Sequence, residues 1–283
     1  MHTWMFVVGF AGCTGAGSAP VTGRIDADQD GLSDHKEAEY GTDPSVADTD
    51  GDGLTDWEDL RYGADPLVVD TDGDGYTDRD EVVERHDPAD PADRIYTGNW
   101  PYNPNKDQLV DPGLDGFAAY GSTFARLQWV DQFGEVVDLY DFGGHGKPVV
   151  VDLSAMWCGW CHELSYWLDY QPSADDFLFP PEYEVIREAL ARGDVYWITV
   201  LDGTATGSPP DLTTAELYHE MHPNDHVTLL VDHEREFGEY VFGSGWTYWP
   251  SLTLLDEHLE PIVLPDLYAE EDVLSVLSEL FAD

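Results

Sequence analysis

Basic residues are scarce in this chain: 12 lysines and arginines stand against 58 aspartates and glutamates, a formal net charge of −46 over 283 residues. That balance excludes nucleic acid as a partner, because phosphate backbones bind the opposite sign. Cysteine is scarcer still, at three, and with a single close pair a four-cysteine zinc site is excluded. There is no glycine-rich phosphate loop and no serine elbow. The N-terminal apolar stretch, residues 4–12, is too short to cross a bilayer as a helix. What is present argues for packed structure: 42% of residues are hydrophobic and 13% aromatic, too many for a disordered acidic tail. The length accommodates one large domain or two modest ones.

The acid is concentrated in residues 24–93, which repeat with a period of 22. Three copies begin at Asp26, Asp48 and Asp70, and each closes on Asp-Pro, at 43–44, 65–66 and 87–88. Counting from the first aspartate, carboxylates fall at loop positions 1, 3, 5, 9 and 12 with glycine at 6, the spacing of an EF-hand-type calcium loop in which position 7 adds its backbone carbonyl. Copy one offers Asp26, Asp28, Asp30, Leu32, Asp34 and Glu37. Copy two offers Asp48, Asp50, Asp52, Leu54, Asp56 and Asp59. Copy three offers Asp70, Asp72, Asp74, Tyr76, Asp78 and Glu81. Oxygen donors without His or Cys select Ca2+ over zinc or copper, and so many protein ligands disfavour magnesium. About three Ca2+ sites are expected, with Asp59, shorter than glutamate, making the second the weakest. Proline and turn formers precede loops two and three and oppose an EF-hand helix there. The stretch resembles thrombospondin type 3 repeats, which implies an all-loop, calcium-dependent stalk of the kind found in extracellular and envelope proteins.

Residues 149–161 organise the remainder. Val149 to Leu153 reads as a strand buried on both faces, and from Cys161 through Leu164, Trp167 and Leu168 the spacing is helical. Cys158 therefore falls at a helix N-terminus, where unpaired N–H groups favour a thiolate. The stretch Val-Asp-Leu-Ser-Ala-Met-Trp-Cys-Gly-Trp-Cys resembles the active-site strand and turn of the thioredoxin superfamily. That resemblance implies thiol–disulfide exchange with protein partners. Cys158 would be the attacking sulfur, Cys161 the resolving one, Asp152 a buried carboxyl of raised pKa that takes a proton, and Trp157 a flank of the turn. Pro250, opening a late strand, resembles the superfamily's cis-proline, here preceded by a bulky Trp249. Trp160 stands where thioredoxins carry proline, which leaves the redox direction open. His219 and His222, three apart on a helix, are a weaker metal candidate, and His162 is placed to tune its cysteine neighbour.

The order of elements then reads as an α/β sandwich of the thioredoxin type. Strands are expected at 124–129, 135–139, 149–153, 195–201, 227–231, 251–255 and 261–264, and helices after Cys161, at 182–192, at 211–221 and at the C-terminus. The hairpin and the Gly-Lys-Pro before the central strand resemble the redoxin branch, whose TlpA-like members are membrane-anchored. Residues before Cys13 resemble a bacterial lipoprotein signal without its basic n-region, which implies lipidation of Cys13 and an envelope location, secretion being the alternative. The expected division is signal 1–12, tether 13–23, calcium repeats 24–93, connector 94–121 and thioredoxin-like domain 122–283. The alternative to an oxidoreductase is a calcium-dependent structural or adhesion protein with a non-catalytic thioredoxin fold. The single cysteine pair speaks against peroxide reduction.

Overall fold

The computed structural model describes residues 25–169, 179–243, 248–265 and 269–282. The signal-like segment with Cys13, most of the loop 170–181, and Trp246 and Thr247 lie outside them. The chain forms two compact units that divide between Asp93 and Arg94.

In the first unit each acidic loop is followed by a two-turn helix: α1 (Asp34–Tyr40), α2 (Asp56–Tyr62) and α3 (Asp78–Glu84). This corrects the all-loop expectation. The prolines lie beyond the helix ends, and local signals close all three helices at the C-terminus and α2 and α3 at the N-terminus as well. Thr55 and Glu58 form a reciprocal capping box at α2, and the Thr77 hydroxyl accepts from Asp80 N–H at α3, contacts that satisfy otherwise unpaired donors. Gly41, Gly63 and Arg85 then turn the chain in the left-handed conformation, which ends a helix by returning an N–H to its last turn. The position-6 glycines Gly31, Gly53 and Gly75 have φ of 107°, 106° and 109°, a region that a side chain opposes.

The second unit is a seven-stranded sheet in the order β2-β1-β5-β4-β3-β6-β7. Its elements are β1 (Gln128–Asp131), β2 (Val136–Asp138), β3 (Val149–Ser154), α4 (Gly159–Leu168), α5 (Glu184–Arg192), β4 (Tyr196–Leu201), α6 (Leu212–Met221), β5 (Val227–Val231), α7 (Glu236–Phe242), β6 (Ser251–Leu255), β7 (Pro261–Val263) and α8 (Ala269–Leu280). β3 is an interior strand, parallel to β4 and antiparallel to β6, and all six of its residues are buried. One face carries Val150, Trp197, Leu252 and Leu254 against α4, α5 and α8 through Leu164, Leu168, Ile186, Leu190 and Leu274. Beside this cluster α6 covers Leu201, Leu229 and Val231 with Ala215 and Tyr218. Phe124, which was expected to begin a strand, instead packs on Phe237 and Tyr240 of α7; the first strand begins at Gln128.

Residues 94–121, read as a connector, fall within the second unit and are fixed by buried polar anchors. Tyr96 Oη donates to Asp141 Oδ2 at 2.7 Å, Trp100 Nε1 to Asp131 Oδ2 at 2.8 Å, and Lys106 Nζ to both Asp141 oxygens at 2.8 and 2.9 Å. Asp141 is fully buried, so these donors supply the pairing that a desolvated carboxylate requires.

Candidate active site and calcium loops

β3 ends at Ser154, and the turn 155–158 delivers Cys158 to the start of α4. Cys158 and Cys161 form a disulfide, with Cα atoms 5.3 Å apart. Cys158 is the N-cap, and Cys161 N–H donates to its Sγ at 3.1 Å. On reduction the same donor, with the helix N-terminus behind it, favours the Cys158 thiolate. Cys158 is 4% exposed and Cys161 fully buried, an asymmetry that leaves the first sulfur to meet a partner.

Three aromatics surround the pair. Trp157 and Trp160 are half-exposed or more. Trp249 packs against the cysteines and Ala155, and its ring meets Trp157 edge-on at 4.9 Å. The Trp249–Pro250 peptide is cis and lies immediately before β6. Trp249 Nε1 donates to Asp202 Oδ1 at 2.8 Å. Burial raises the Asp202 carboxyl to about 6, against the lowering effect of that bond. Asp202 was not singled out in the sequence; its one signal was a polar residue ending an apolar run, Asp202-Gly203 after Val195 to Leu201.

Asp152 lies in the middle of β3 with no solvent exposure. Burial pushes it up to about 7, offset in part by Ser154 Oγ, which donates to both its oxygens at 3.1 Å, and by Thr199 Oγ1 at 3.2 Å. A carboxyl poised near neutrality suits general acid–base work. The α6 side of this polar core was missed as well. Tyr218 Oη meets Ser165 Oγ at 2.9 Å and donates to the Cys161 carbonyl at 3.4 Å. His219 and His222 are not joined into a metal cluster: among the described residues the candidate groups of three are all aspartates. His222 instead pairs through Nε2 with His162 Nδ1 at 2.7 Å, while His162 Nε2 bonds the Met156 carbonyl at 3.0 Å.

In the repeats, positions 1, 3 and 5 converge in every copy: Asp26, Asp28 and Asp30; Asp48, Asp50 and Asp52; Asp70, Asp72 and Asp74 each bring ligand oxygens within 4.8 Å of one another. Position 1 also closes its loop, Asp48 accepting from Gly51 and Gly53 N–H at 2.7 and 3.1 Å. Leu32, Leu54 and Tyr76 bury their side chains and donate N–H to the position-5 carboxylates. Position 9 braces the loop: Asp56 accepts from Thr49 N–H and Oγ1 at 2.8 and 2.9 Å, and Asp78 from the same groups of Thr71, both at 2.8 Å. Position 12 differs. Glu37, Asp59 and Glu81 are buried, and neither oxygen of any of them has a hydrogen-bond partner. Burial, then the neighbouring aspartates, push them up to about 7, 8 and 8. Buried carboxylates with no donor fit a hard, oxygen-coordinated cation such as Ca2+, which would supply the missing positive charge. Asp59 also gathers with Asp52 and with Asp78 of the following copy, a cross-loop cluster that counting within one loop does not reveal.

The parallel β3–β4 pair, the antiparallel β6–β7 pair beside it, the helix-capping cysteine pair and the cis-proline that opens β6 after Trp249 define the second unit as a thioredoxin-like α/β sandwich. The three acidic segments match the model of the Bacterial TSP3 repeat over residues 26–47, 48–68 and 70–91. No curated protein matches the sequence. Among solved structures, the chain is similar to the thioredoxin domain of a thiol-disulfide oxidoreductase from Bacteroides vulgatus, at 16% identity over 58% of this chain and 98% of that one, with a TM-score of 0.40. A thiol:disulfide interchange protein from Bacteroides sp. is 17% identical over 59% and 92%, with a TM-score of 0.41. An exposed lipoprotein thioredoxin from Streptococcus pneumoniae is 21% identical over 55% and 99%, with a TM-score of 0.36. No helix among the described residues is long and apolar enough to cross a membrane.

Proposed function

We propose that the protein is a thiol–disulfide oxidoreductase acting outside the cytoplasm on protein thiols or disulfides, with a calcium-binding TSP3 run ahead of its redox unit in the chain. The observation that carries this reading is the Cys158–Cys161 disulfide at the first turn of α4, directly after the interior strand β3 that holds the buried Asp152. In the oxidising direction a partner thiolate attacks Cys158, a mixed disulfide forms and Cys161 leaves as a thiolate. A second partner thiolate then attacks the mixed disulfide, and the chain is released as the dithiol. In the reducing direction the Cys158 thiolate attacks a partner disulfide. Cys161 then gives its proton to Asp152 and attacks Cys158 Sγ; the partner sulfur departs as a thiolate and the internal disulfide re-forms.

Calcium, when bound, neutralises the loops and holds them folded. Glu37, Asp59 and Glu81 with the position 1, 3 and 5 aspartates would hold it, one ion per repeat. The lipoprotein-like pattern before Cys13 supports attachment to the envelope, and a structural disulfide or redox pair persists best outside the reducing cytosol. Insulin reduction with dithiothreitol, in calcium-containing buffer, is the test. Wild type is expected to accelerate it and Cys158→Ser is not. A wild type no faster than buffer would leave the adhesion reading in its place.

A further inference from the structure

We propose that Tyr218 is a proton-relay residue, linking the buried Asp152 carboxyl through Ser154 and Ser165 to a one-water cavity between Asp169 and His222. The inference rests on the oxidoreductase reading and concerns the step in which Cys161 resolves the mixed disulfide.

Asp152 must lose the proton it takes before the next cycle, yet it has no exposed surface. Its hydrogen-bond partners are the hydroxyls of Ser154 and Thr199. The Tyr218 hydroxyl neighbours Ser154, whose own hydroxyl is bonded to Asp152 rather than to Tyr218 in this structure. The Tyr218 hydroxyl meets Ser165 Oγ at 2.9 Å and the Cys161 carbonyl at 3.4 Å. Each of these groups is a hydroxyl, able to accept one proton and release another. Ser165, Thr199 and Tyr218 then wall a cavity of about 20 Å³ together with Asp169 and His222. That is room for one water, which needs about 10–15 Å³ and at least two polar partners. The partners are there: Asp169 Oδ2 and His222 Nδ1 lie 3.9 Å apart, each side chain is at least nine-tenths buried, and neither atom has a hydrogen-bond partner. A water seated between them completes a line from Asp152 toward the outer lining residues His219 and Asn224.

The titratable groups facing this line are Asp152 on β3, His162 and Asp169 at the two ends of α4, Tyr166 of α4, whose ring meets His222 edge-on at 4.5 Å, and Tyr218, His219 and His222 on or just after α6. His162 stacks on the Tyr218 ring with centroids 5.3 Å apart, which fixes the ring. Burial and the adjacent His162 hold His222 down to about 4, so it passes a proton on without retaining it. The balance is closed: Cys161 forms a bond to Cys158 Sγ, the Cys158–partner bond breaks, and the partner sulfur leaves with the electron pair. The Cys161 proton goes to Asp152, then by successive hops through Ser154, Tyr218 and Ser165 to the cavity water and solvent.

The test uses the full chain with calcium, reduced and mixed with glutathione disulfide in a stopped-flow instrument, following indole fluorescence through resolution. Tyr218→Phe keeps the ring and deletes the hydroxyl. Expected at pH 7 and low buffer is an approximately tenfold slower resolution, a modest share of the usual acid–base contribution. Added imidazole should restore the rate in the variant and leave wild type unchanged, with the reduction potential the same in both. Ser165→Ala is expected to show the same pattern, and it decides the matter if Tyr218→Phe fails to fold by near-ultraviolet circular dichroism. Wild-type rates without buffer dependence in a folded variant overturn the relay and leave the oxidoreductase reading standing. Slowing without rescue, accompanied by a moved potential, also overturns it, assigning Tyr218 a packing role. A wild type that fails to turn over insulin ends both readings.

Discussion

Trp249 and Asp202 are joined by a 2.8 Å hydrogen bond from indole to carboxyl, and this bond holds one wall of the disulfide in place. The Trp249 ring touches both the cysteine cluster and Trp157, so its orientation decides which side chains of a partner can approach Cys158. Burying an indole N–H without an acceptor costs about 1–3 kcal/mol, and the same donor lowers a carboxyl that burial has raised.

Asp202→Ala should therefore loosen Trp249 more than it destabilises the sheet. A disulfide quenches an indole in contact with it, so fluorescence should rise when wild type is reduced. Trp249→Phe should lose most of that rise, and Asp202→Ala part of it. Emission spectra of oxidised and reduced protein check this; an unchanged rise in Trp249→Phe would show that another tryptophan reports on the pair.

Cys161→Ser should trap mixed disulfides with partner proteins, because the resolving sulfur is gone while Cys158 keeps its helix N-terminus. Non-reducing electrophoresis should show adducts that dithiothreitol releases, and Cys158→Ser should show none.

Asp152 is protonated in the folded chain up to about pH 7, whereas an unfolded aspartate ionises near 3.8. The folded state thus holds more protons between those values, and its stability falls as pH rises through that window. The full cost above pH 7 is about 4 kcal/mol at 1.36 kcal/mol per unit. Asp152→Asn removes it: melting should rise by roughly 8–16 °C at pH 8 and change little at pH 4, while resolution slows. Thermal scans at the two pH values measure the difference.

Lys106→Ala deletes the charged partner of the fully buried Asp141. Leaving such a charge unpaired costs about 3–5 kcal/mol. Urea midpoints should fall accordingly, and Lys106→Met should do no better, since it restores bulk without charge.

Chelation should reduce the helical circular dichroism contributed by the repeats and leave the redox unit's near-ultraviolet signal in place. Calorimetry should count about three ions in wild type, and Asp59→Ala should lose one. An unaltered count would place the second ion on other oxygens.

Much of this was legible in the residues, and for identifiable reasons. The short valine-rich run Val149 to Leu153, with the β-branched residues that favour strands, reads as a buried strand, and the helix after Cys158 has a clear stripe. The spacing of the loop carboxylates is fixed by the sequence, and those at positions 1, 3 and 5 converge. The short helices of the repeats were hidden because seven residues show no amphipathic period; their caps were the readable signal. Asp202, Tyr218 and the anchors Tyr96, Trp100 and Lys106 were opaque for another reason. Each finds its partner 31 to 57 residues away, and no local pattern encodes such a meeting. Trp100 and Tyr102, bulky aromatics in a polar stretch, do suggest docking on a neighbour, and Trp100 finds one in Asp131.

Asp30 Oδ2 accepts from Trp57 N–H, and Asp52 Oδ2 from Arg79 N–H, each across 27 residues. The Trp57 ring lies over Gly31 and the Arg79 stem over Gly53. One carboxylate thus serves its own loop with one oxygen and latches the next helix with the other. Excising a whole rung preserves such a latch, while excising any other length leaves it hanging. Evolution can therefore lengthen or shorten this ladder only in integer steps.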